Sequence, residues 1–130
     1  MNHGYTLTVS RDFIAQHYLI GGDWGAENEP HSHHYRIDLI LSGPDLDRNG
    51  YLVDIVAVEA RIEKFVDRFR DAMLNDLPEF VGLNPSIEHF ARIAWESLTP
   101  ALLPSSVREA AVRMHENEIA SVTYSAPLTE

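Results

Sequence analysis

The 130-residue sequence contains no cysteine. A disulfide framework, a thiolate zinc finger and a thiol nucleophile are excluded, so any chemistry must run on imidazoles, carboxylates or hydroxyls. Basic charge is scarce: ten Lys and Arg stand against twenty Asp and Glu, a net charge of −10. Such a chain repels a phosphate backbone, and nucleic acid is not an expected partner. Long apolar runs are missing, leaving no candidate membrane span, and the opening MNHGYTLTVSRD lacks the basic-then-apolar order of a secretion signal. The expectation is a cytoplasmic protein. Low-complexity tracts, internal repeats and long linkers are absent too. With 45% hydrophobic residues, residues 1–130 are read as a single domain with one core.

Two segments alternate as strands do. In 5–19, Tyr5, Leu7 and Val9 share a side, as do Phe13, Ala15, His17 and Leu19 after the polar Ser10-Arg11-Asp12 interruption. In 33–41, His33, Tyr35, Ile37, Leu39 and Leu41 share a side, and the segment ends at Gly43-Pro44. The two suit an antiparallel ribbon joined by GGDWGAENEP. Asp54 is a good N-cap for a helix carrying Ile55, Val58, Ile62, Phe65, Val66, Phe69 and Met73, which the spacing extends to about residue 74. A second helix is predicted from around Asn84-Pro85-Ser86, with Ile87, Phe90, Ala91, Ala94, Trp95 and Leu98 on one stripe. After Ser106 the propensities suit a helix and the pattern suits strands; strands over 111–116 and 119–125 are preferred. The order ββααββ makes this an α+β chain with an antiparallel sheet.

Seven histidines are many for this length, and four fall in two places: His17, then His31, His33 and His34. On a strand, His31 and His33 project to one face while His34 points away, and His17 lies on the strand expected to pair with them. Neutral imidazoles bind Zn²⁺ well, and three of them plus a water make the open arrangement that catalytic sites use. The competing reading is a solvated His-rich edge beside an ordinary half-buried His17.

The motifs themselves resemble the 6-pyruvoyl-tetrahydropterin synthase and 6-carboxy-tetrahydropterin synthase family, zinc-dependent pterin lyases of the tunnelling (T) fold. Phe13-Ile-Ala-Gln-His17 is similar to the family's F-x-A-x-H, and His31-Ser-His33-His34-Tyr35 to its H-G-H-N-Y. Gly50-Tyr-Leu-Val-Asp54-Ile resembles G-M-V-x-D-F. Leu74-Asn-Asp-Leu-Pro78 resembles L-N-D-x-P, Asn84-Pro-Ser-Ile-Glu88-His-Phe-Ala resembles N-P-T-x-E-N-x-A, and Val112-Arg-Met-His-Glu116-Asn resembles V-x-V-x-E-T. The likeness runs from about residue 5 to residue 124. It implies an antiparallel sheet with two helices packed on one face. It implies His17, His31 and His33 as zinc ligands and Glu116 as the carboxylate that accepts the pterin's paired N–H groups, as charge-assisted bonds allow. It implies a homo-oligomeric barrel, a hexamer, with pockets at subunit interfaces; a ribbon with exposed strand edges agrees with closure. Glu88 is read as favourable charge at a helix start.

Two positions depart from the family pattern. Its cysteine, four residues before the first His of H-x-H, is here Glu27, as in the family's members that cleave the dihydroneopterin side chain; Glu29 is a competing carboxylate. Its L-D-H relay falls on Phe69-Arg70-Asp71, so Asp71 is the remaining acid or base there, on a helix whose charged residues also suit a solvent face. The resemblance implies a lyase with Glu27 and Asp71 as candidate catalytic residues, acting on dihydroneopterin or its triphosphate. Arg36 or Arg113 would meet the phosphates. The alternative is a pterin-binding homologue that retains the zinc site without turnover.

Overall fold

The computed structural model describes residues 4–129. Four strands, β1 (Tyr5–His17), β2 (His31–Gly43), β3 (Glu109–His115) and β4 (Ser121–Pro127), form one antiparallel sheet in the order β1-β2-β3-β4. Helices α1 (Ile55–Phe69) and α2 (Ile87–Leu98) intervene between β2 and β3 and cover one face: α1 packs on β1, and α2 on β3 and β4. No helix among the described residues is long and apolar enough to cross a membrane.

Alternation explains the layering. Val9, Phe13 and Ala15 of β1, Tyr35, Ile37, Leu39 and Leu41 of β2, and Ala110, Val112 and Met114 of β3 are all buried beneath the helices. Register links these sets, with Val9 opposite Leu39 and Leu39 opposite Val112. β1 is continuous through the polar interruption. Arg11 occupies the inward side there and reaches α1, its Nε 2.7 Å from Glu63 Oε1 and its Nη2 3.6 Å from Glu59 Oε2. A cation thus fills a core-facing position by finding two carboxylates on the layer above. The glycine ending β2 is required by space: a Cβ on Gly43 would lie 2.1 Å from the Ser106 carbonyl oxygen.

Asp54 caps α1, its side chain accepting from the Val56 and Ala57 amides at 3.0 and 3.4 Å. Such a cap contributes about 1 kcal/mol. Ser86 does the same for α2 through the His89 amide. The apolar spacing after Phe69 predicts helix to about residue 74, but α1 ends at Phe69. Asp71 takes φ 60° and its amide donates to the Ile14 carbonyl at 2.6 Å, while Gln16 donates to the Ala72 carbonyl at 2.8 Å. The free edge of β1 captures these peptide groups, and Met73 pairs beside Gln16. At the C-terminal end the strand reading holds, with each strand displaced by about two residues from its pattern-based span.

Candidate metal centre

Strand pairing assembles the site. His17 ends β1 and His31 opens β2, and the two are direct cross-strand partners. His33, two residues on, faces the same side. The three rings form a nearly equilateral triangle, with centroids 4.6 Å (His17–His31), 4.8 Å (His17–His33) and 4.8 Å (His31–His33) apart. Glu27 enters from the short 3₁₀ turn Gly25–Asn28 before β2, its Oε2 2.6 Å from His31 Nε2. One ligand atom from each of these four residues lies within 4.8 Å of the others.

Outer contacts orient the rings. His17 Nδ1 donates to the Pro85 carbonyl at 2.8 Å, with Tyr35 Oη 3.3 Å away, and His31 Nδ1 donates to the Glu29 carbonyl at 2.7 Å. Each bond places the proton on Nδ1 and leaves Nε2 as a lone pair aimed at the centre, the outer-shell pattern of metal-binding histidines. His17 is 1% exposed, and its Nε2 is buried with no hydrogen-bond partner. His31 Nε2 and His33 Nε2 are 3.1 Å apart, close to the ~3.3 Å expected of two nitrogens on one tetrahedral zinc at ~2.0–2.1 Å. Lone pairs and carboxylate oxygens facing one another repel unless a cation lies among them. The donor set therefore fits a divalent ion.

Burial pushes the His17 pKa below its ordinary 6.5; the Pro85 carbonyl opposes this, the His33 and His31 rings add to it, and Glu27 opposes it. The folded chain thus binds this proton more weakly than the unfolded chain. His17 leaves stability unaffected above about pH 6.5 and lowers it as pH falls from there toward the folded pKa, by at most about 1.4 kcal/mol per pH unit. We predict that the denaturation midpoint of metal-free protein falls between about pH 7 and pH 5, and that His17→Asn flattens that dependence. Identical slopes in the two proteins would refute the assignment. Burial, then Glu116 and Glu27, raise the Tyr35 pKa, so its phenol stays protonated beside the triad.

Other motif residues hold the site in place. The Asn75 side chain accepts from the Tyr18 amide at 3.0 Å and donates to the Tyr18 carbonyl at 2.9 Å; Asn84 Oδ1 accepts from the Ile20 amide at 2.9 Å. The chain leaving His17 is thereby clamped. The Leu19 amide donates to the Glu27 carbonyl at 2.8 Å, and Asn28 Nδ2 donates to the Leu19 carbonyl at 3.0 Å, which ties the turn bearing Glu27 to that clamp. These roles of Asn75, Asn84, Pro85 and Tyr35 were not apparent from residue type; the motifs flagged their positions alone.

Glu116 follows β3 directly and joins the cluster within the same chain, its Oε1 3.0 Å from His33 Nε2 and 3.8 Å from His17 Nε2. Asp71 lies apart from that four-residue group, exposed at the β1 edge beside the Ile14 main chain. A cavity of about 610 Å³ borders the triad, walled by His33, Glu116, Asp12, Arg36, His115 and Glu118 among others. Its one Lys or Arg, Arg36, is engaged: Nε is 3.1 Å from Asp38 Oδ1, and Nη1 is 3.9 Å from Asp12 Oδ2. Burial alone would raise the Asp38 pKa. The Ser10 hydroxyl at 2.6 Å, His115 at 2.7 Å and Arg36 outweigh burial and hold it below the usual range.

A family model described as 6-pyruvoyl tetrahydropterin synthase matches residues 6–127. The chain belongs to this family. Enzymes of the 6-pyruvoyl tetrahydropterin synthase family are lyases acting on pterins. A Plasmodium vivax 6-pyruvoyltetrahydropterin synthase, in a form with a catalytic glutamate replaced by alanine, is 16% identical, with TM-score 0.83 over 98% of this chain and 100% of that one. The Caenorhabditis elegans 6-pyruvoyl tetrahydropterin synthase is 22% identical, with TM-score 0.77 over 97% and 99% of the two chains. An uncharacterized protein from Wolinella succinogenes is 14% identical, with TM-score 0.73 over 93% and 97%. At these identities the likeness establishes the fold: a four-stranded antiparallel sheet with two helices, here carrying the convergent histidines at one end.

Proposed function

We propose that this chain is a zinc-dependent lyase that cleaves the side chain of dihydroneopterin, with His17, His31 and His33 as zinc ligands and Glu27 as the base. The observation that carries the proposal is Glu27 Oε2 standing 2.6 Å from His31 Nε2, within the convergent donor set. Bound there, the ion supplies Lewis acidity that lowers the pKa of a substrate hydroxyl. Glu27, half exposed beside the triad, is placed to take that hydroxyl's proton. As the O–H electrons form the new C=O, the adjacent C–C bond breaks and its electron pair passes into the pterin ring imine. A proton then returns to the carbon beside the ring, leaving a hydroxymethylpterin and a small aldehyde. Glu116 accepts the ring's paired N–H groups at the wall of the adjoining cavity.

Charge favours the unphosphorylated substrate. Arg36, the cavity's one Lys or Arg, is already paired with Asp38 and Asp12, and Glu116 and Glu118 add negative charge; a triphosphate finds no free guanidinium or ammonium there. The P. vivax relative also has a glutamate as a catalytic residue, which supports a carboxylate in this role. Asp71, exposed at the β1 edge, where its amide bonds Ile14, and outside the donor cluster, is proposed as at most an auxiliary acid supplied where copies meet.

Zinc-loaded protein is expected to convert dihydroneopterin to a hydroxymethylpterin, and Glu27→Gln to slow this about 10²- to 10⁴-fold without loss of metal. Equal rates, measured by mass spectrometry of products, would remove Glu27 from the mechanism. Pterin binding without product in both proteins would favour the non-catalytic alternative. The sheet leaves β1 and β4 as its two edges, which a closed ring of copies would cover. We expect a homohexamer, sedimenting at about six times the 14.7 kDa chain mass; a monomer at micromolar concentration would refute closure.

A further inference from the structure

A second concavity lies in the helix layer, between α1 and α2, and shares no lining residue with the histidine cluster. It encloses about 540 Å³, within the range of small-molecule sites. Arg61, Lys64, Arg68 and Arg92 line it, four of the chain's ten basic residues. Only two carboxylates answer them. Glu79 binds Arg68, with Nη2 2.7 Å from Oε1, and Glu96 binds Arg92, with Nη1 3.0 Å from Oε1. The groove therefore holds a surplus of positive charge in a chain of net charge −10.

Arg61 and Lys64 supply that surplus, having no ion-pair partner among the described residues. Arg61 Nε is moreover shut off from solvent with no hydrogen-bond partner. A buried donor on a charged group seeks an acceptor, and an acidic chain would ordinarily provide one. The floor beside these cations is apolar: partly exposed Leu83 and the edge of Ile93 line it, above Phe65 and Phe69, which are themselves buried, Phe69 beneath the Arg68 guanidinium. A bare inorganic anion would meet the guanidinium and leave the apolar floor at Leu83 uncovered. A neutral apolar molecule would cover the floor and leave Arg61 unanswered.

We propose that this groove is a binding site for a small organic anion, with its acidic group on Arg61 and Lys64 and a compact apolar body against Leu83 and Ile93. The planar fork of Arg61 suits a carboxylate, sulfonate or phosphate ester. The site is independent of the zinc and pterin assignment.

The test is a fluorescence titration of the intact protein with 8-anilinonaphthalene-1-sulfonate, an anion of this shape. Saturable binding at one site per chain is expected, weakening with salt. Arg61→Met combined with Lys64→Met is expected to weaken it at least about tenfold. Ser97→Trp, which leaves every charge in place and fills the groove, should weaken it similarly, while pterin turnover in both variants stays at the wild-type rate. Unsaturable binding, or unchanged affinity in either variant, overturns the site. Displacement of the dye by an equal concentration of inorganic phosphate would also overturn it, since the apolar body would then contribute nothing.

Discussion

His33→Ala is expected to purify without stoichiometric zinc and to lose pterin turnover. His33 Nε2 lies 3.1 Å from His31 Nε2 and 3.0 Å from Glu116 Oε1, so its ring occupies one corner of the donor triangle. Alanine removes one of three converging imidazoles, and the remaining donors, His17, His31 and the carboxylates of Glu27 and Glu116, no longer form the three-histidine set. Loss of a mere outer-shell partner weakens metal binding about 10–100-fold, and removing a ligand exceeds that. The fold itself should survive, because His33 is half-buried at the sheet's end, at the rim of the aromatic core and not within it. Thermal melts with and without zinc separate the two effects. Wild-type protein gains about 2.7 kcal/mol at a free zinc concentration one hundred times Kd, and His33→Ala gains nothing. A variant that keeps one zinc per chain and its zinc-dependent stabilisation would show that these imidazoles are not the ligands.

The second large effect is structural. Phe90 on α2 is fully buried and meets five other rings: Phe13 at 5.9 Å, Tyr35 at 5.3 Å, Phe65 at 6.1 Å, Phe69 at 5.2 Å and Phe80 at 5.6 Å. These come from β1, β2, α1 and the loop between the helices, so no single element can move in to fill the space. Phe90→Ala should cost about 3–5 kcal/mol, a large part of the roughly 5–15 kcal/mol that stabilises a domain. Urea unfolding would show a lower midpoint at unchanged slope. Val56→Ala, at a position 75% exposed on α1, should shift the midpoint hardly at all. A Phe90→Ala midpoint equal to that of Val56→Ala would contradict the packing. Tyr35 also lies 5.7 Å from the His33 ring, so Phe90→Ala should weaken zinc affinity in addition.

The layering was legible because its signal is periodic. Alternation in β2 and the helical stripes through Phe65 of α1 and Phe90 of α2 depend only on which side of an element faces the core. The same logic placed His31 and His33 together and His17 on the strand facing them, and the family comparison added Glu27 and Glu116. The end of α1 was not legible. Met73 continues the apolar spacing, and nothing local announces that the β1 edge will claim the Asp71 amide and the Ala72 carbonyl. Arg11 misled in a similar way: it read as an interruption, although two carboxylates a helix away accommodate it. The Pro85 and Glu29 carbonyls that set the imidazole tautomers are main-chain atoms, which no residue alphabet can encode.

The pairing of His17 with His31 has a consequence for how the ribbon forms. Sliding one strand past the other by a single residue would turn His17 and the His31/His33 pair toward opposite sides. A hairpin slipped by one residue therefore has no chelate, so a divalent ion captured during folding acts as a proofreader that rewards the in-register hairpin over those misaligned neighbours.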